Sequence, residues 1–442
     1  MTYDLILRGG TIVNHAGTAI ADVAVKDGRI AAVGDLRGAV AAEEFDARHL
    51  HVLPGCMDTQ VHFREPGLTH KEDLATGTAA AALGGITAVF EMPNTKPSTT
   101  TPEAIAEKLN AAAGRAWVDH AFYLGGCAEN ADRLAEWERL PGVCGVKIFM
   151  GSSTGSLLVA DDATLDRVVA TIARRMAVHC EDEARLNERK ALIPADADAR
   201  WHPLWRDEQT ALRATTRLIA AARKYKKRVH ALHITTAEEL DLLRQHKDLV
   251  TVEVLPQHLT LAAPECYERL GTYAQMNPPI RDERHRAALW AAIQDGTVDV
   301  LGSDHAPHTR EEKDKGFPFS PSGMPGVQTI LPLMLNHVHH RRLSIERVVD
   351  LLAHGPQRIF GLAGKGRLAC GYDADFSIVD LKARHTITHA EQATRCGWTP
   401  FDGMTVTGWP VSTIIRGRTV MRDGQLVGTA AGKPLRFVET GA

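Results

Sequence analysis

Two apolar patterns alternate along the middle of the chain. Short runs rich in β-branched and aromatic residues fall at 52–62, 86–91, 117–124, 143–149, 176–179, 228–233, 250–255 and 298–303. Each has the length and composition of a buried strand. Helix-like stretches fill the gaps, among them 102–113, 162–174, 205–226, 236–246 and 283–295. One has a capping-box start, with Thr236 followed three residues later by Glu239. Eight strands alternating with helices predict an α/β fold, a TIM-type (β/α)8 barrel with its site at the C-terminal strand ends. A doubly wound open sheet is the alternative, but no Gly-rich phosphate fingerprint follows the first strand.

The ends of the chain read differently. Residues 1–50 are short strands and turns, including a hairpin through Lys26-Asp27-Gly28. Strand-like runs recur at Asp375–Val379, Val411–Gly417 and Thr419–Gly424. We expect one small β-sandwich domain built from both termini, residues 1–50 and 361–442, around a catalytic barrel at 51–360.

Composition narrows the function by exclusion. A net charge of -3 over 442 residues offers no electrostatic case for nucleic acid or an anionic membrane. The densest basic run, Lys224–Arg228, reads as a solvated helix end. No stretch approaches the ~20 apolar residues of a membrane span, and no signal peptide is visible. Seven scattered cysteines without a CxxC pair suggest reduced thiols in a cytoplasmic protein.

The strand ends carry the candidate chemistry. In an extended strand Asp58, Gln60, His62 and Arg64 share one face, opposite Val61 and Phe63. Such a row is poor core material and good material for a metal site beside an anion site. The fourth strand carries Lys147, the fifth ends in His179, the sixth holds His230 and His233, and the eighth leads into Asp304. Imidazole and carboxylate suit zinc, with an open position for water. His62, His179, His233 and Asp304 are the favoured ligands, while His230, three residues before His233, is expected on the opposite side of its strand. A barrel-interior Lys147 is costly as an ammonium. As a neutral amine it can add carbon dioxide to form a carbamate able to bridge two metals.

The segments His62-Phe63-Arg64-Glu65-Pro66-Gly67, Met92-Pro93-Asn94-Thr95, His233-Ile234-Thr235, Asn277-Pro278-Pro279 and Ser303-Asp304-His305-Ala306-Pro307-His308 resemble the long bacterial dihydroorotases of the cyclic-amidohydrolase superfamily. The likeness runs almost end to end. It implies zinc-dependent, reversible hydrolysis of dihydroorotate to N-carbamoyl-L-aspartate in pyrimidine synthesis, by a homo-oligomer, dimeric or tetrameric. Asp304 would be the proton shuttle. Arg64, Asn94 and His308 would hold the substrate carboxylate, Asn277 the ring amide edge, and Ser322 and Gly323 would contact substrate from a mobile loop over residues 309–323. Gly145–Met150 resembles the carboxylated-lysine segment of hydantoinases. Gln60 departs from the family's His-x-His-x-Arg pattern, and a neutral amide is a weak zinc ligand beside imidazole. Three readings follow: two zinc ions with carbamylated Lys147, one zinc on His179, His233 and neighbouring residues, or a non-catalytic subunit that partners aspartate transcarbamoylase. Hydantoinase-like or allantoinase-like chemistry is the other enzymatic alternative.

Overall fold

A computed structural model describes residues 2–152 and 157–438. Its centre is an eight-stranded sheet with neighbours in chain order: β1 (Cys56–Val61), β2 (Ile86–Glu91), β3 (Asp119–Gly125), β4 (Val143–Phe149), β5 (Met176–His179), β6 (Val229–Ala231), β7 (Val250–Val254) and β8 (Val300–Leu301). All adjacent pairs are parallel. The ends meet where Val61 bridges to His305 and the His62 N–H donates to the His305 carbonyl at 2.7 Å. This is the expected barrel.

Alternation explains its two cores. Val89, Phe122, Val146, Val178 and Val252 belong to the larger apolar cluster shared with the surrounding helices. Ala88, Phe90, Ala121, Tyr123 and Ala177 form a separate cluster inside the barrel, closed by Phe360 and Phe437. The Phe90 ring stands edge-on to Phe360 at 4.9 Å. Buried on both faces, the strands read as near-continuous apolar runs.

The strand boundaries differ from expectation where function begins. The predicted strand over 52–62 is two elements. His51–Pro54 pairs with Thr11–Ile12 and with Phe376–Val379, and only after Gly55 does β1 start. A Cβ at Gly55 would lie 2.3 Å from the Thr87 hydroxyl, so the crossing point admits only glycine. The sixth and eighth strands stop short of 233 and 303 because His233 (φ 39) and Asp304 (φ 44) take left-handed conformations that leave the ladder.

Strands from both termini form one continuous nine-stranded mixed sheet, in which His51–Pro54 joins the N-terminal strands to Phe376–Thr386. Its core mixes Leu5, Val23 and Val52 with Phe376 and Ile414. Lys365 ties this sheet to the barrel by ion pairs to Asp119 (2.6 Å), Asp373 (3.3 Å) and Asp375. Among the described residues no helix is long and apolar enough to cross a membrane.

Candidate active site

At the C-terminal end of the barrel, β1 faces β8. Asp58 Oδ1 accepts the Ser303 N–H at 2.9 Å and the Gln60 N–H at 3.2 Å, pinning the two strand ends together. Gln60 Nε2 donates to Asp304 Oδ1 at 3.0 Å, and His62 Nε2 lies 3.0 Å from the same oxygen. The His62 Nδ1 meets Asn94 Oδ1 at 2.7 Å. Asp58, Gln60 and His62 thus face β8 as the alternation requires, Arg64 joins them from a left-handed position beyond the strand end, and Val61 and Phe63 lie in the outer core. Asn94, expected in the anion pocket, uses its carbonyl to orient His62.

On the other side, His179 Nδ1 and His233 Nε2 face each other at 3.1 Å. His179 Nε2 lies 2.8 Å from Glu181, and Arg206 Nε holds both Glu181 oxygens at 3.0 and 3.1 Å. Burial alone would raise Glu181; the Arg206 charge outweighs it and keeps the carboxylate ionised well below its usual range. Glu181 and Arg206 escaped sequence reading, because nothing in their local pattern ties residue 206 to the end of β5. His230 has the core role expected of it, but not the expected face. Its ring packs edge-on to Phe360, and its Nδ1 lies 2.9 Å from the Thr251 hydroxyl, inside the barrel. The left-handed His233 breaks the alternation, so both histidines turn inward.

Lys147 is fully buried, and its ammonium position lies over the Phe149 ring at 4.3 Å. Its Nζ has no hydrogen-bond partner. Burial pushes the amine down to about 7. Below it sits Glu253, which accepts from the Thr59 hydroxyl at 2.9 Å and is pushed up to about 8 by burial. Burial would also raise Asp304, but its hydrogen bond with His62 and the nearby His233 and Lys147 hold it well below the ordinary carboxylate range.

Arg64 (φ 62, 2% exposed) donates from Nε to the Pro307 carbonyl at 3.3 Å, with a terminal nitrogen 3.4 Å from His308 Nε2. Among the described residues no carboxylate lies within ion-pair distance of this guanidinium. His308 is held on its other side by Lys71, 3.1 Å from Nδ1, and Lys71 pairs with Glu312 at 2.8 Å. Ser322 offers its carbonyl to His308 Nε2 at 3.1 Å. Gly323 (φ 142) passes so close that a Cβ would lie 2.4 Å from the Ala306 carbonyl. The segment 309–323, expected as a loop, is stapled from within: buried Lys313 donates to the carbonyls of Pro321 (2.8 Å) and Gly323 (3.1 Å). Asn277 lies beside it, since the Gln275 carbonyl accepts the Gly323 N–H at 2.8 Å.

Three left-handed non-glycine residues, Arg64, His233 and Asp304, fall within this one site. Such backbone persists where surrounding contacts over-determine it. The donor set suits a divalent metal only in part by geometry and fully by chemistry. Among the described residues no three His, Cys, Asp or Glu side chains form a ready-made cluster; the donors stand as two close pairs, His62–Asp304 and His179–His233. Even so, the chemistry fits. A ring proton on Nδ1 toward Asn94 would turn the His62 Nε2 lone pair to the Asp304 oxygen 3.0 Å away, so that a metal ion between them would take the place of the hydrogen bond they share without it. The imidazole nitrogens of the second pair are spaced close to the roughly 3.3 Å expected of two ligands on one tetrahedral zinc. Their outer partners, Asn94 and Glu181, are the oxygen acceptors that orient ligating histidines. Buried Gln60 Oε1, His233 Nδ1 and Lys147 Nζ lack partners.

A barrel with this constellation at its C-terminal mouth defines a class of hydrolase, and residues 51–420 match the amidohydrolase family, to which the chain belongs. Over 96% of the chain it is 34% identical to the dihydroorotase of Methanosarcina acetivorans, covering 93% of that protein. It is also 37% identical to the allantoinase of Rubrobacter xylanophilus, over 98% of each chain. The L-hydantoinase of Arthrobacter aurescens superposes with a TM-score of 0.93 at 31% identity, over 98% of this chain and 100% of that one. Within its family the chain is a dihydroorotase-like cyclic amide hydrolase.

Proposed function

We propose that the chain is a zinc-dependent dihydroorotase, opening the dihydroorotate ring reversibly to N-carbamoyl-L-aspartate. The observation that carries this reading is Arg64, a buried guanidinium in the site without a carboxylate partner among the described residues. Leaving such a charge buried and unpaired is expensive. A substrate carboxylate satisfies it through a charge-assisted, bidentate contact.

His62, His179, His233 and Asp304 would hold the metal, with Lys147 joining them as a carbamate and the Gln60 carbonyl as a weaker donor. When bound, zinc polarises the ring carbonyl and activates water. Arg64 and His308 fix the ring by its carboxylate, and Asn277 faces the ring amide edge. Asp304, ionised and anchored by Gln60 and His62, takes a proton from the attacking water and returns it to the leaving ring nitrogen. Lys313 keeps Ser322 and Gly323 against His308 so that the anion pocket retains its shape.

The allantoinase and hydantoinase relatives support a second enzymatic reading. Those rings lack a carboxylate for Arg64 to bind. Steady-state turnover of dihydroorotate, hydantoin and allantoin by zinc-loaded protein separates the readings. Faster opening of either rival ring would overturn the dihydroorotase assignment. A non-catalytic role beside aspartate transcarbamoylase would show as no ring opening of any of the three.

A further inference from the structure

We propose that Lys71 is a positioning residue for substrate specificity: it locks His308 in the tautomer that presents an Nε2–H donor to an anionic ring substituent beside Arg64. The inference rests on the dihydroorotase reading for its substrate, but its geometry stands independently. Lys71 lies on the segment after β1, and His308 on the segment after β8. The Lys71 Nζ–His308 Nδ1 separation is 3.1 Å, with Lys71 only 9% exposed. An ammonium carries donors and no acceptor, so Nδ1 must supply the lone pair. The ring proton then sits on Nε2, which donates to the Ser322 carbonyl at 3.1 Å and lies 3.4 Å from a donor-only Arg64 nitrogen, so an anion entering beside Arg64 would meet both donors.

The rival arrangement puts the proton on Nδ1, directed at Glu312. Glu312 Oε2 is 3.7 Å from Nδ1, beyond hydrogen-bond reach, while Glu312 Oε1 pairs with Lys71 at 2.8 Å. His70 Nε2 approaches the same Oε1 only to 4.0 Å. Glu312 therefore anchors Lys71, and Lys71 orients the imidazole. The ring itself is kept neutral by burial, pushed down to about 3. Its value to an anion lies in a fixed N–H, not in a charge. Arg64 supplies the charge and His308 a directional donor, a pairing that selects a planar carboxylate. Without Lys71, only the Ser322 carbonyl would favour a proton on Nε2, while the donor-only Arg64 nitrogen 3.4 Å from Nε2 would favour the Nδ1–H form, which turns a lone pair toward the anion.

Nitrogen-15 spectra of the zinc-loaded wild-type protein test this without any substrate. His308 is expected as the Nε2–H tautomer, and a ring protonated at Nδ1 overturns the proposal. Lys71→Met is expected to lose the single tautomer and to raise KM for dihydroorotate roughly tenfold, the size of a lost hydrogen bond to a charged group, with kcat within about twofold. Dihydrouracil, the same ring without the carboxylate, is expected to be handled equally by both proteins. An unchanged KM, or an equal loss on dihydrouracil, would overturn the role. If the wild type opens no dihydroorotate, the dihydroorotase reading fails, while the tautomer measurement still decides the Lys71–His308 relationship.

Discussion

Gln60 donates from its amide nitrogen to the same Asp304 oxygen that faces His62, at 3.0 Å. The residue that departs from the family pattern is therefore joined directly to the proposed base. Its nitrogen serves the carboxylate, and its carbonyl oxygen is left buried without a partner. Replacing the amide by imidazole should exchange an anchor of Asp304 for a stronger metal donor. Gln60→His is expected to retain zinc longer against a chelator, with a slower first-order loss. Equal or faster loss would show that Gln60 already serves the metal as well as imidazole would.

Asp304→Ala removes the proton carrier together with one metal donor. Turnover should fall by about 10²–10⁴, the range typical of positioned acid–base groups. Zinc content measured by atomic absorption separates the two losses. A variant that keeps zinc and near-normal turnover would mean that another group moves the proton.

Arg64→Met should strike affinity for the carboxylate-bearing ring. The expected loss in kcat/KM for dihydroorotate is roughly 10–100-fold, as for a hydrogen-bonded charge contact. Dihydrouracil opening should change little. A uniform loss on both rings would place Arg64 in the scaffold of the site.

Lys313→Met strips the donors from the carbonyls of Pro321 and Gly323. Buried acceptors left unsatisfied cost about 1–3 kcal/mol each. Hydrogen exchange should therefore speed up in residues 322–324, and KM for dihydroorotate should rise severalfold. Unchanged exchange there would show that the segment holds without the lysine.

Lys365 gives a prediction about stability and pH. Its burial alone would lower the ammonium, but Asp375, Asp119 and Asp373 outweigh it and raise the group above its ordinary 10.5. A raised folded value means stability that is fully present below about pH 10.5 and is lost as pH climbs through the folded value. Lys365→Met leaves buried Asp375 without its ion pair, while Asp119 keeps Arg416 and Asp373 keeps Arg29 and Arg436; the loss should be about 3 kcal/mol at pH 8 in denaturant unfolding. The gap between the two proteins should narrow above pH 10.5. A gap independent of alkaline pH would assign the loss to packing.

The eight strands were legible because burial on both faces writes them as apolar runs, and strand-end polar residues stand out against that background. The face of β1 could be read from Asp58 through Gln60 to His62, while Arg64, left-handed at φ 62, reaches the site from beyond the strand end. The same rule failed at β6, where it separated His230 from His233; the left-handed turn at His233 is invisible to periodicity. Partners such as Glu181 with Arg206, or Lys71 with His308, arise from segments far apart in the chain, and no local pattern announces them. Asn94 was located at the site, but its orientation toward His62 required coordinates.

The sheet built from both termini also sets the order in which this chain can be completed. His51–Pro54 pairs with Phe376–Val379, so more than three hundred residues separate neighbouring strands. Contacts of such separation form late, after the entropy of closing the long loop has been met. During synthesis the early strands emerge with one edge open and wait for the whole barrel before their partners exist. An unpaired edge of this kind invites association with other chains. The vulnerable moment for this protein thus falls during its own translation, and its exposed surface then is the N-terminal half-sheet.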